Sequence, residues 1–221
     1  MTIKSISSIM AVCACLVVLS VAAGCKDESS DGKASPSHAD SSSGGKSAAN
    51  SPSPFKIPDK YAEVFTDYRQ NWVSLTGYEF SGLHWGQYIS LYVNKNPDTY
   101  IKNYLEYVRL YVNQDIDEAS TTEEKHFEPY PVGTIFLKEN FRAEGGQPAN
   151  PLTVTAMIKK EKGYDPATND WQFIQFGTEG NILFDGNSHD APTQMMCIKC
   201  HGNMAERDFI FSTYCSIAQK K

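Results

Sequence analysis

Five consecutive residues near the C-terminus, Cys197-Ile198-Lys199-Cys200-His201, carry chemistry by their types and spacing. They read C-x-x-C-H, the attachment signature of a c-type haem. Two thiols at this spacing can add to the two vinyl groups of a porphyrin as thioethers. A histidine that follows at once brings its imidazole to the iron from the proximal side. The expected cofactor is one covalently attached haem c, tethered by Cys197 and Cys200, with His201 as the metal ligand. Two blander readings compete. A thioredoxin-like pair would sit early in a βαβ unit, whereas this pair lies near the end of the chain. A structural zinc site needs four ligands, and the other cysteines do not supply a second pair. Cys13 and Cys15 lie in an apolar N-terminal run, Cys25 closes that run, and Cys215 stands alone as a buried, inert thiol.

The 221 residues carry a formal net charge of -6. That balance offers no clustered basic face, so no nucleic-acid partner is expected. Residues 1–24 read as a secretory signal: Lys4 gives the positive start, and Ile9 to Val21 is too short for a comfortable membrane span. The signal ends Val21-Ala22-Ala23-Gly24-Cys25, which resembles a bacterial lipobox with Ala22 where Leu is more usual. That resemblance implies cleavage before Cys25 and lipidation of Cys25, so that the membrane is met through a lipid anchor only. The alternative is an ordinary secreted protein cleaved nearby. Residues 25–54 are rich in Ser, Gly, Ala, Asp and Pro and cannot bury enough surface to fold, which makes them a tether. Lys26 is not the Asp that retains many lipoproteins in the inner membrane. A place in the bacterial cell envelope follows, with the outer membrane favoured and the globular part, residues 55–221, in the periplasm.

Within that part, Asp59 to Trp72 places Tyr61, Val64, Phe65, Tyr68 and Trp72 on one helical face. Gly86 to Val93 is rich in strand formers. Asn96-Pro97-Asp98 opens a second helix with Ile101, Tyr104, Leu105, Val108 and Val112 on one side. Asp115 to Glu128 is acidic and reads as a solvated loop. Val132 to Glu139 alternates, with Ile135 and Leu137 on one face and Thr134, Phe136 and Lys138 on the other. Leu152 to Lys160 and Trp171 to Phe176 are further strands, separated by turns at Gly163-Tyr164-Asp165-Pro166 and Asn169-Asp170. Short successive strands imply an antiparallel meander, with residues 193–205 as a short helix packed against it. The expected fold class is mainly β (α+β): a curved antiparallel sheet with a few flanking helices enclosing one c-type haem.

Pro131 to Glu139, Gly163-Tyr164-Asp165-Pro166 with Asn169-Asp170-Trp171, Cys197 to His201, and Asp208-Phe209-Ile210-Phe211 together resemble the cytochrome P-460 family in order and spacing. The resemblance spans roughly Pro58 to Tyr214. It implies an antiparallel β fold, often homodimeric, around one haem with an open or water-filled distal site. The namesake enzymes oxidise hydroxylamine to nitric oxide and nitrous oxide, and carry a further covalent bond from a lysine nitrogen to a meso carbon of the haem. The matching lysine here is Lys138, in Gly133-Thr134-Ile135-Phe136-Leu137-Lys138-Glu139. Relatives that lack this bond, the β-type cytochromes c-prime, bind gases in Phe-lined pockets. This sequence departs from the enzymes before Tyr92-Val93, where Ile89, Ser90 and Leu91 stand in place of an Arg.

Lys138 suits the role chemically, because burial near a ring would favour its neutral, nucleophilic form. Phe136, on the same strand face, would lie on the haem side. The bland alternative is a lysine reaching out to solvent, as Lys159, Lys160 and Lys162 are expected to do. His84, His126 and His189 read as structural, and Met157 is a sixth ligand only if it leaves the core. Three functions stay open. The first is an enzyme oxidising hydroxylamine or a related small nitrogen species, with Lys138 cross-linked, Glu139 or Asp170 as proton acceptor, and a partner cytochrome taking the electrons. The second is a protein that binds nitric oxide or another gas. The third is an electron carrier, which wants a strong distal ligand that the sequence does not offer.

Overall fold

A computed structural model describes residues 52–112 and 123–216. The signal, Cys25, the tether up to Ser51, and Asp115, Asp117 and Glu118 of the acidic stretch lie outside the described residues. Seven antiparallel strands make one open sheet: β1 (Val73–Ser74), β2 (Glu79–Ser81), β3 (Gln87–Val93), β4 (Ile135–Glu144), β5 (Gln147–Lys159), β6 (Trp171–Gly177) and β7 (Ile182–Gly186). From β3 to β7 each strand pairs with the next in sequence, while β1 and β2 share the outer edge of β3. The expected mainly-β meander with flanking helices is the fold found. The β4–β5 turn places Gly145 and Gly146 at φ 58° and 76° between the paired Glu144 and Gln147. Two left-handed residues in succession match the twist of the strands, and glycine adopts them without strain. The strands β1, β2 and β7 are too short or too exposed to announce themselves by alternation.

The period of two sorts the residues of the central strands onto two faces. Tyr92, Leu137, Phe141, Val154, Ala156, Ile174 and Phe176 pack on one side against Tyr61, Phe65 and Tyr68. Val93, Phe136, Met157, Trp171 and Phe173 pack on the other, with Tyr100, Tyr130, Phe209 and Ile210. Cys197 and Ile198 pack against this second core, which sets the C-x-x-C-H segment on the Phe136 side of the sheet.

Two helical expectations are corrected in detail. Asp59 to Trp72 is not one helix. A turn at Asp59–Tyr61 leads into α1 (Ala62–Phe65), the chain breaks at Asp67 with φ 51°, and α2 (Tyr68–Asn71) follows. Tyr61, Phe65 and Tyr68 are buried, but Val64, in the first piece, is exposed. Helix α3 (Pro97–Tyr107) begins where expected, but Leu105 is exposed and the buried face is Tyr100, Asn103 and Glu106. The polar members of that face hold backbone. Asn103 takes both the carbonyl and the amide of Glu128, and Glu106 accepts from the amide of His126 and from Arg109. Beyond α3, Tyr107, Tyr111 and Phe127 surround the buried Arg207 guanidinium with centroids at 4.8, 5.0 and 5.1 Å. Such cation–π contacts strengthen as water is excluded.

The first face also buries an ion pair. Arg69 Nε and Nη2 donate to the two carboxylate oxygens of Glu139 at 2.7 and 2.8 Å. Tyr68 donates to the same carboxylate, and Tyr92 does so at 3.4 Å. The side chains of Arg69 and Glu139 are 3% and 0% exposed. A buried pair contributes little net stability while intact, but removing one partner strands a charge at a cost of about 3–5 kcal/mol. Arg69→Met should therefore lower the unfolding free energy by about that amount in a denaturant titration. Adding Glu139→Gln should restore part of the loss, which a purely local packing defect at Arg69 would not allow.

Candidate haem site

Lys138 stands on β4 between Leu137 and Glu139, so its side chain leaves the opposite face from the Arg69–Glu139 pair. Across the strands it lies in a row with Leu91, Thr155, Gln175 and Phe184. The next row toward the C-terminal segment is Val93, Phe136, Met157 and Phe173. Lys138 makes no ion pair among the described residues. Burial pushes its ammonium pKa down to about 8, and the influences opposing burial come from Cys197 and Cys200. Lys138 thus lies within electrostatic reach of the two thiols of the motif, on the face it shares with Phe136.

The motif rides on a run of short helical turns, Ala191–Thr193, Gln194–Ile198, Lys199–His201 and Gly202–Arg207. Pro192 in the first of these lacks the amide that would go unpaired there. Cys197 is half-buried, Cys200 is exposed, and neither is in a disulfide. Burial raises the Cys197 thiol to about 12, with Lys138 acting in the opposite sense.

His201 is oriented from behind. Its Nδ1 lies 2.7 Å from the carbonyl of Phe209. A carbonyl only accepts, so Nδ1 carries the proton and Nε2 presents its lone pair. Phe173 and Phe211 meet the ring edge-on at 6.0 and 5.2 Å. Burial first, and Lys138 second among the lowering influences, bring its pKa to about 4, so the ring is neutral at physiological pH.

The Phe209 carbonyl is aimed by an unusual turn. Asp208 and Phe209 both have positive φ, 52° and 64°, which costs energy for residues with a side chain. The Asp208 carboxylate accepts from Lys159 Nζ at 2.7 and 2.8 Å and from the Tyr130 amide at 2.8 Å. Trp171 Nε1 donates to the Asp208 carbonyl at 2.9 Å and to its carboxylate at 3.2 Å. The Lys159 ammonium also lies over the Trp171 ring at 4.9 Å. Lys159 was expected to reach solvent; its side chain is 11% exposed and paired instead, because Asp208 offers a buried carboxylate. Sequence reading missed this trio as a support for His201. The Asp208-Phe209 and Asp170-Trp171 segments were visible as matching stretches, but which atoms they offer depends on the turn.

Other candidates fall away from the site. Glu139 faces the Arg69 side of the sheet, and the Asp170 carboxylate accepts the amides of Gly163 and Asp165 in a turn. Neither is placed to take protons near Lys138. Met157 is buried in the core, and His126 and His189 are exposed. Phe136 shares the Lys138 face and packs on Tyr100, Tyr130 and Trp171. His84 differs from the other weak candidates. Its Nδ1 is 2.7 Å from Ser81 Oγ, and burial, Lys138 and His201 together lower its pKa to about 3.

The donor set fits a c-type haem: two thiols outside any disulfide, a neutral imidazole held by its far nitrogen, and an amine without a carboxylate partner. Apolar Leu91, Phe173 and Ile198 line the same side. No curated protein matches the chain. The sequence does match the family Cytochrome P-460 over residues 84–212, which takes in β3 to β7, Lys138, and the whole C-x-x-C-H segment. With that match falling on the elements that assemble the site, the chain belongs to the cytochrome P-460 family, whose members are haem c cytochromes.

Proposed function

We propose that this protein is a lipid-anchored, periplasm-facing cytochrome with a single haem c, and that it oxidises hydroxylamine or a related small nitrogen species at an open iron site. The observation that carries this reading is Lys138, largely withdrawn from water and without a carboxylate partner, on the sheet face that the C-x-x-C-H segment packs against and within electrostatic reach of Cys197 and Cys200. In this reading Cys197 and Cys200 form the two thioethers, His201 Nε2 is the proximal ligand, and Lys138 Nζ supplies the additional bond to the haem. Bound haem would accept the substrate's electrons one at a time and pass them to a partner cytochrome.

The chain's own residues set the conditions for that chemistry. The Phe209 carbonyl holds His201 in one tautomer, and a hydrogen bond at Nδ1 makes the other nitrogen a better donor. Desolvation keeps a sizeable fraction of Lys138 neutral, the form that can attack carbon. Leu91 and Phe173 shed water from the sheet side of the site. Cys25, through its acyl chains, and residues 26–54, as a tether, keep the domain near the membrane.

One observation favours a second reading. Glu139 and Asp170 both turn away, which leaves the Lys138 face with no carboxylate from these two positions and with apolar Leu91, Phe173 and Ile198 among its walls. Such walls suit capture of nitric oxide by a cytochrome of the β-type c-prime kind.

One measurement tests the attachment of the haem and a second separates the readings. The protein, made in a host that matures c-type haems, is expected to keep its haem through denaturing electrophoresis. Cys197→Ala combined with Cys200→Ala should lose it entirely. In the reduced spectrum, the parent should show a strongly red-shifted Soret band that returns to an ordinary c-haem position in Lys138→Ala. An ordinary high-spin spectrum in both proteins would replace the enzyme reading with gas binding. Sharp low-spin α and β bands would mark an electron carrier.

A further inference from the structure

One imidazole on the Lys138 side of the sheet has no structural task in its outer nitrogen. His84 follows β2 in a single turn, Gly82–His84. The register fixes where it hangs. Ser81 pairs with Gln87, Ile89 with Asn140, and Leu91 with Lys138, so alternate residues of β3 carry Ser81 onto the face that bears Lys138. Ser81 is fully buried, and its Oγ lies 2.7 Å from His84 Nδ1. Among the described residues, His84 Nε2 has no hydrogen-bond partner.

The connection from β2 to β3 closes through two left-handed residues. Trp85 and Gly86, directly after His84, take φ 54° and 68°. The left-handed form is costly at Trp85, whose ring is 79% exposed and earns nothing by burial. A cβ on Gly86 would meet the Phe80 ring at 3.6 Å, so the bend is not forced by crowding there.

His84 and His201 are built alike. Each has an oxygen 2.7 Å from Nδ1, neither uses Nε2 in a hydrogen bond among the described residues, and both feel the Lys138 charge. They differ in what holds them. His201 belongs to the thiol-bearing helical turns, and His84 belongs to the β2–β3 edge of the sheet. The same electrostatic neighbourhood is thus reached from two separate elements.

We propose that His84, positioned by Ser81, is the polar residue that hydrogen-bonds the small nitrogenous ligand in the haem pocket through Nε2. This rests on the haem reading above and names a residue that selects among ligands. The neutral imidazole pairs with such a ligand in either tautomer. If Ser81 donates to Nδ1, then Nε2–H donates to a ligand oxygen or nitrogen. If Nδ1–H donates to Ser81, then Nε2 accepts an N–H or O–H of hydroxylamine. An apolar gas gains less from this group, so His84 would favour hydroxylamine over carbon monoxide.

The test uses the full haem-loaded protein. The ferric form is titrated with hydroxylamine, and the ferrous form with carbon monoxide, in the parent and in His84→Leu, His84→Gln and Ser81→Ala. One lost hydrogen bond should weaken hydroxylamine binding about three- to tenfold in His84→Leu and change carbon monoxide binding little. His84→Gln, which keeps an amide to bond with, should recover most of the loss, and Ser81→Ala should show a smaller loss. Equal hydroxylamine affinity in the parent and His84→Leu would overturn the proposal. So would a low-spin parent that becomes high-spin in His84→Leu, because His84 would then bind the iron itself. A parent that shows the affinity change but does not turn hydroxylamine over would remove the proposed reaction and leave the role of His84 standing.

Discussion

Lys138 and Glu139 are neighbours on one strand with opposite demands. Glu139 must have Arg69, because a carboxylate with no exposed surface cannot stand alone. Lys138 must be kept from that carboxylate, or it would be a fully charged ammonium in a salt bridge. The strand meets both demands through its alternation. A register slip of one residue would exchange the two side chains, placing the carboxylate on the thiol side and the ammonium against Arg69. The forked Arg69–Glu139 contact, with Tyr68 and Tyr92 on the same carboxylate, opposes that slip directly. What looks like a structural ion pair behind the sheet therefore sets the electrostatics in front of it.

The other half of the site is set from the C-terminal side by backbone rather than by charge. His201 is aimed by a carbonyl, and that carbonyl is aimed by two left-handed residues that the Lys159–Asp208–Trp171 contacts hold in place. Lys159 and Trp171 face each other across β5 and β6. The sheet thus fixes both Lys138 and, at one remove, His201. A single rigid element controls the separation between the amine and the imidazole.

Much of this was legible in the chain. C-x-x-C-H named its own chemistry, and the alternation around Phe136 and Lys138 put both on one face, where the structure has them. The Leu152 to Lys160 pattern divided the same way. What failed had identifiable causes. The Asp59 to Trp72 periodicity ignored the left-handed Asp67, which local sequence tolerates but does not announce. The face of α3 was assigned by hydrophobicity, whereas Asn103 and Glu106 are buried because each satisfies the backbone of the segment after it. Lys159 was read as solvated because its partner, Asp208, lies 49 residues away. His84 was set aside for the same reason: the groups that act on it electrostatically, Lys138 and His201, are distant in sequence.

The chain beyond the site returns to its beginning. The Ser216 amide donates to the Leu75 carbonyl at 2.9 Å, Ser216 Oγ reaches Glu79 across 137 residues, and Tyr100 holds the Tyr214 carbonyl at 2.7 Å. Closing so long a loop has an entropic cost that no local contact offsets in advance. The stretch from Tyr214 to Ser216 thus closes against Leu75, next to β1, and against α3. Cys197 and Cys200 lie inside the loop that these contacts close. The C-x-x-C-H segment is therefore held from both sides in sequence, by β6 and β7 of the sheet before it and by the Tyr214 and Ser216 contacts after it.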